Sequence, residues 1–178
     1  MRKKLSILLL SVAVTSSLSA RDLEKTERFI GLEIGASTIQ ANTGGLFGEN
    51  DVKGTDAEFG LRIGAQNNDW RTLLSLNYYD NKESDQNFER GILGFDYYLL
   101  TSEFKSASFR PYLGLHGGYM NYESTQKDEN GFFYGGQAGF TLDVADKIDL
   151  DVAYRYSLGE VEEVDHIGNF VLGVNYLY

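Results

Sequence analysis

The sequence contains no cysteine, one proline, one tryptophan and two histidines among its 178 residues. Without cysteine it can carry neither a disulfide framework nor a lipid-modified cysteine, so backbone pairing and packing must hold it together. Basic residues are also scarce. Lys and Arg total 16 against 26 Asp and Glu, for a formal charge of −10, so nucleic acid, which needs a basic surface, is not an expected partner. Past the first twenty residues no apolar run reaches the ~20 residues of a spanning helix, and no helical period is visible. A membrane location would therefore require a closed β-barrel, the one strand architecture that satisfies every backbone polar group in lipid.

The chain starts Met1-Arg2-Lys3-Lys4, continues with an apolar stretch from Leu5 to Leu18, and passes through Ser19-Ala20. A basic start, a short apolar core and a small-residue exit describe a secretory signal peptide. Residues 1–20 are expected to be cleaved, after Ser19 or Ala20, leaving residues 21–178 as one exported domain.

The remainder is rich in alternation, with 12 Tyr, 11 Phe and 20 Gly. Eight strands are expected: Phe29 to Gln40, Asp56 to Gln66, Trp70 to Tyr79, Phe88 to Leu100, Phe109 to Tyr122, Phe132 to Val144, Ile148 to Leu158 and Asn169 to Tyr178. Polar loops are expected at Asn42 to Thr55, Asp80 to Asn87, Glu123 to Asn130 and Gly159 to His166. Shorter connections fall at Asn67-Asn68-Asp69, Thr101 to Ser108 and Ala145-Asp146-Lys147. Pro111 lies near the start of its strand, where a missing ladder donor is tolerable.

Within each strand one face is bulky and apolar and the other small or polar. In the last strand Phe170, Leu172, Val174, Tyr176 and Tyr178 oppose Asn169, Val171, Gly173, Asn175 and Leu177, because side chains alternate. An apolar-Gly-apolar-polar-apolar pattern recurs, as in Ile30-Gly31-Leu32-Glu33-Ile34 and Leu172-Gly173-Val174-Asn175-Tyr176. A soluble sandwich also alternates, so volume decides. The interior of an eight-stranded barrel only just accommodates side chains. Phe, Tyr, Leu, Ile and Trp from every strand would overfill it, whereas Gly, Ala, Ser, Asn and a few charges would fit. The bulky face is therefore expected outside, against lipid, with aromatic residues near both strand ends.

The polar face carries Glu33, Glu58, Arg62, Arg71, Arg90, Asp96, Arg110, His116, Asp143, Asp149, Asp151 and Arg155. Unpaired charges in a narrow lumen are costly, so they should pair. Glu58, Arg62, Arg90, Asp96 and Arg155, nearest mid-strand, are expected to form the central network. A salt-bridged plug is one reading of these charges; a narrow ion path is another. His116 reads as a lumen hydrogen-bonding residue, and His166 lies in an acidic loop beside Asp165. No catalytic residue, cofactor site or metal site is expected. The acidic clusters Glu49-Asn50-Asp51, Asp128-Glu129-Asn130 and Glu160 to Asp165 lack the ligand spacing of a calcium loop.

The leader, the eight alternating strands, the opening strand Phe29-Ile30-Gly31-Leu32-Glu33-Ile34-Gly35-Ala36 and the aromatic C-terminus resemble the small outer-membrane barrels of the OmpA/OmpX type. The resemblance spans residues 21–178 and implies an all-β, eight-stranded antiparallel up-and-down transmembrane barrel, monomeric, in the outer membrane. It also implies periplasmic termini, long loops turned outward, and contact with outer-membrane lipid and lipopolysaccharide. By the same resemblance, Phe170, Leu172, Val174, Tyr176 and Tyr178 form the insertion signal read by the barrel-assembly machinery, with Tyr178 where the family usually has Phe. The periplasmic peptidoglycan-binding domain of longer relatives is not expected. The function implied is a structural or surface-interaction role, with an extracellular ligand for the acidic loops. A narrow porin-like channel is the alternative, and a lipid-modifying enzyme the third reading.

Overall fold

Alternation of this length commits the backbone to extended pairing, and the polar turn residues decide where the chain reverses. Asn67 shows how. Its Oδ1 accepts hydrogen bonds from Asp69 N (2.9 Å) and Trp70 N (2.7 Å), and its own N–H donates to Trp70 O (2.8 Å). The side chain thus supplies the acceptor for a tight reversal. A second short turn, Asp146-Lys147, follows a register shift between Asp143 and Ala145.

The computed structural model describes residues 26–45, 48–81, 86–104, 107–124, 128–159 and 164–178. The expected leader, residues 1–20, lies outside them. The strands are β1 (Glu27–Gly45), β2 (Gly48–Gln66), β3 (Trp70–Asn81), β4 (Gln86–Tyr98), β5 (Ser102–Phe104), β6 (Ala107–Ser124), β7 (Asp128–Ala145), β8 (Ile148–Gly159) and β9 (Val164–Leu177). Each pairs antiparallel with its chain neighbour, except that β4 pairs with β6 and the three-residue β5 hangs on β6 alone. β9 pairs with β1 and closes the ring, leaving an eight-stranded antiparallel barrel with β5 outside the count. Closure runs to the terminus: Arg28 N donates to Tyr178 O (3.3 Å) and Tyr178 N to Arg28 O (2.9 Å). Pro111 sits just before the first β4–β6 pair, Tyr98 with Tyr112, where its carbonyl accepts from Leu99 N (2.9 Å).

The expected loops are too long. The Gly, Asn and Asp content of residues 42–55 predicts a loop, yet β1 and β2 stay paired up to Gly45 and Gly48. Strand structure likewise covers both flanks of the other three, leaving residues 82–85, 125–127 and 160–163 outside the described set. Residues 101–108 contain β5 and the start of β6. A hairpin that continues past the apolar band needs no apolar side chains, because its backbone ladder alone carries the pairing. Composition then mistakes a polar strand for a loop.

Solvent exposure is inverted relative to a soluble protein. Leu115 on the outer wall is 72% exposed, while Arg62, Arg71 and Arg155 inside are each 1% exposed. Large apolar residues cover the outside of all eight ring strands. A wall this apolar is stable only against hydrocarbon.

Candidate functional site

The lumen is where the chain concentrates its chemistry. Parity aims Glu33 of β1, Glu58 and Arg62 of β2, Arg71 of β3, Arg90 and Asp96 of β4, Asp151 and Arg155 of β8 inward. Their exposure ranges from 0% at Asp96 to 4% at Glu33.

Three carboxylates organise the middle of the lumen. Glu33 accepts from Arg155 (Nη1 2.8 Å and Nη2 3.1 Å) and from Asn77 Nδ2 (2.5 Å), and Arg62 Nη1 lies 3.5 Å away. Asp151 accepts from Arg62 Nη1 (2.6 Å) and Tyr112 OH (2.8 Å), with Arg71 Nη1 at 3.2 Å. Asp96 accepts from Arg71 Nε (2.8 Å) and Gln137 Nε2 (2.5 Å). Gln137 in turn accepts from Arg155 Nε (2.9 Å), which joins the carboxylate clusters into one network. Charge-assisted hydrogen bonds of this kind are roughly twice as strong as neutral ones. They offset the desolvation of the buried ions only while every partner is present.

A separate pair lies toward the end away from the termini. Arg90 donates twice to Glu58, Nε to Oε1 (2.8 Å) and Nη2 to Oε2 (2.7 Å), and Glu58 also accepts from Asn169 Nδ2 (2.8 Å) and Ser37 Oγ. In register, Glu58 stands opposite Tyr79 and Arg90 opposite Met120. Tyr79 and Met120 belong to an apolar cluster with Ile92, Phe133 and Ile167. Near the other end Phe29, Leu73 and Leu177 form a second cluster, and Tyr98, Tyr112, Ala153 and Val171 a third. Apolar and ionic groups thus interleave along the lumen. Aromatic faces also cover cations, with Arg71 4.3 Å from the Tyr112 ring centre and Arg110 4.8 Å from that of Tyr98.

Inner-wall glycines are seats for these groups. A Cβ at Gly173 would run into the Arg62 guanidinium, one at Gly114 into the Asp96 carboxylate, and one at Gly64 into the Phe29 ring. Glycine is used here for room.

Of the five residues expected to form the central network, Glu58 and Arg90 bind each other. Arg62, Asp96 and Arg155 bind instead to Glu33, Asp151, Arg71 and Gln137. Ranking by mid-strand position passed over Glu33, Arg71 and Asp151, because the true strands are longer and height in the barrel follows register rather than distance from a strand's ends. Leu73, Met120 and Phe133 share the parity of inward polar neighbours, the one sequence signal that could have placed them inside. In the closing strand, Phe170, Leu172, Val174, Tyr176 and Tyr178 all lie on the outer wall.

His116 Nε2 lies 2.8 Å from Ser157 Oγ, and His116 Nδ1 has no hydrogen-bond partner among the described residues. Both residues are buried, and the His116 ring lies 6.3 Å from that of Phe133. Among the described residues no group of three or more His, Asp or Glu side chains is arranged to hold a metal ion.

The sequence matches the family described as outer membrane protein beta-barrel domain over residues 6–177. Comparison with curated proteins gave no match. Among solved structures, the chain is similar to Neisserial surface protein A, with a TM-score of 0.62 and 16% identity over 87% of this chain and 100% of that one. Outer membrane protein H of P. aeruginosa aligns with a TM-score of 0.58 and 16% identity, covering 85% and 99% of the two chains. Ail, the attachment invasion locus protein of Yersinia pestis, aligns at 0.53 and 19%, covering 86% and 99%. At these identities the likeness is one of fold.

Proposed function

The chain belongs to the outer membrane protein beta-barrel domain family and is an integral barrel of the outer membrane, and from that premise we propose that it serves a structural and surface-interaction role with a closed lumen. One observation carries this reading. The charges of the central network and of the Glu58–Arg90 pair are bound to one another, nearly inaccessible, and interleaved with apolar clusters. An ion path needs charges that are hydrated and free to meet a passing ion; here each carboxylate of the central network already holds an arginine.

In this reading both termini are periplasmic. The start of β1, the end of β9 and the short turns at Asn67–Asp69 and Asp146–Lys147 lie at one end of the barrel, and the extended β1–β2 and β6–β7 hairpins lie at the other. The outer end would then carry Glu49, Asp51, Asp128, Glu129 and Asp165. The Ail structure contains the heparin analogue sucrose octasulfate; the acidity of this chain's outer segments argues against a polyanion here and for a partner with cationic groups. Outer-membrane lipid and lipopolysaccharide surround the wall. The barrel-assembly machinery reads the closing strand through Phe170, Leu172, Val174, Tyr176 and Tyr178, after removal of residues 1–20. No catalytic role is assigned: the His116–Ser157 pair faces the packed lumen, away from any substrate in lipid or water.

Planar-bilayer recording tests the proposal. The purified barrel should insert without producing steady conductance, and a reproducible open level from the wild-type chain would establish the channel reading in its place.

A further inference from the structure

Asp149 differs from the other lumen carboxylates among the described residues. Glu33, Asp96 and Asp151 face three arginines, Arg62, Arg71 and Arg155, while Glu58 holds Arg90 and Asp143 holds Arg110. Asp149 is 0% exposed, and its hydrogen-bond partners are two neutral amides. Asn175 Nδ2 donates to Oδ1 (2.5 Å) and Gln66 Nε2 to Oδ2 (3.2 Å). Its neighbours on the inner wall are acids: Asp143 on β7 is its register partner, and Asp151 is the next inward position on β8. The arginines that face it from β2, β3 and β6 are committed elsewhere. Arg62 binds Asp151, Arg71 binds Asp96 and Asp151, and Arg110 binds Asp143.

We infer that Asp149 is a proton-binding site, carried in the folded barrel as a neutral acid. Ionised, it would be a buried charge with no counter-ion, which costs far more than a buried hydrogen-bonded neutral group. It would also face Asp143 directly across the ladder, where like charges repel. A proton removes both costs. A metal cation would need a shell of oxygens, yet Asn175 turns its N–H group to Asp149 because its own Oδ1 accepts from Arg62 Nε (2.6 Å). The Gln66 contact, at 3.2 Å, is longer than the about 2.7–2.9 Å of a charge-assisted bond to a carboxylate. Tyr98 OH donates to Gln66 Oε1 (2.9 Å), and Thr141 Oγ1, beside that hydroxyl and fully buried, has no partner among the described residues. Reversing the Gln66 amide gives the acid proton an acceptor. Asp149 O–H then donates to Gln66 Oε1, Gln66 Nε2 to the Tyr98 oxygen, and Tyr98 O–H to Thr141 Oγ1. The proton thus completes a chain that the ionised form leaves open at Thr141. The inference rests on the closed lumen, since water admitted there would hydrate the carboxylate.

Infrared spectroscopy of the full barrel in lipid vesicles at neutral pH tests the site. The wild type should show a carboxylic-acid C=O band that shifts when aspartate is labelled with carbon-13, and Asp149→Asn should abolish it. An amide reproduces both hydrogen bonds of the neutral acid, so Asp149→Asn should leave the midpoint of denaturant unfolding unchanged. Asp151→Asn, which takes a carboxylate from Arg62 and Arg71, should lower that midpoint. If Asp149→Asn does not fold, Gln66→Leu replaces it. The band should then move, because Asp149 is the one acid that bonds Gln66 among the described residues. The absence of an acid band at neutral pH, or a band that survives Asp149→Asn or stays unmoved in Gln66→Leu, would overturn the proposal. A midpoint lowered by Asp149→Asn as far as by Asp151→Asn would also overturn it. Steady conductance in bilayer recording would overturn the closed-lumen reading, whereas a missing band in a barrel that does not conduct overturns this inference alone.

Discussion

Leu115 and His116 are adjacent in β6, yet Leu115 is 72% exposed and His116 5%. The same contrast runs around the ring, because the two walls of the barrel are the two parities of the same strands. The outer wall is chemically uniform: any apolar side chain of moderate size meets lipid about equally well. The inner wall is specified group by group, since Glu33, Asp96 and Asp151 each have particular arginines in place and Gly173 leaves the space that Arg62 occupies. One wall therefore depends on composition and the other on identity.

Substitution can break this contrast from either side. The largest effect is expected for Glu33→Ala, which leaves Arg155 without its carboxylate in a sealed lumen. Removing one partner of a buried ion pair costs about 3–5 kcal/mol, measurable as a lowered midpoint of denaturant unfolding from lipid vesicles. Next comes Leu115→Arg, which puts a charge on the lipid face and should cost roughly 2–4 kcal/mol if the residue lies near the bilayer midplane. Gly173→Ala adds a single methyl group where the Arg62 guanidinium lies and should destabilise by about 1–3 kcal/mol through overpacking. Leu32→Ile, an apolar exchange on the outer wall, should stay within about 0.5 kcal/mol of wild type. A cost for Leu32→Ile comparable to that of Gly173→Ala would blur the two walls into one.

The sequence was most legible where the rule is local. Parity assigned Phe170, Leu172, Val174 and Tyr176 to one wall and Asn169, Gly173 and Asn175 to the other. The composition at Asn67-Asn68-Asp69 marked a reversal that the Asn67 side chain builds. What parity cannot convey is height. Arg62 meets Asp151 across 89 positions of sequence, and Arg155 meets Glu33 across 122. Those meetings are set by strand tilt and register around a closed ring, which no single strand encodes. The long hairpins were missed for a different reason. Beyond the lipid the apolar alternation stops while backbone pairing continues, so residues 42–45 and 48–55 read as loop although they are paired. Apolar lumen residues such as Leu73 and Phe133 were obscured because hydrophobicity alone suggested the outside, when packing between ionic groups needs apolar filler as well.

A double-mutant cycle on Glu58 and Arg90 tests most directly whether the lumen is a plug of mutually dependent charges. Unfolding free energies in lipid vesicles would be measured for wild type, Glu58→Ala, Arg90→Ala and the double variant. The account predicts strong coupling, with the double variant destabilised by less than the sum of the two single variants by about 1–3 kcal/mol, within the range found for residues in one ionic network. Additive losses would contradict it, because charges that contribute independently are solvated charges, as an open aqueous path requires.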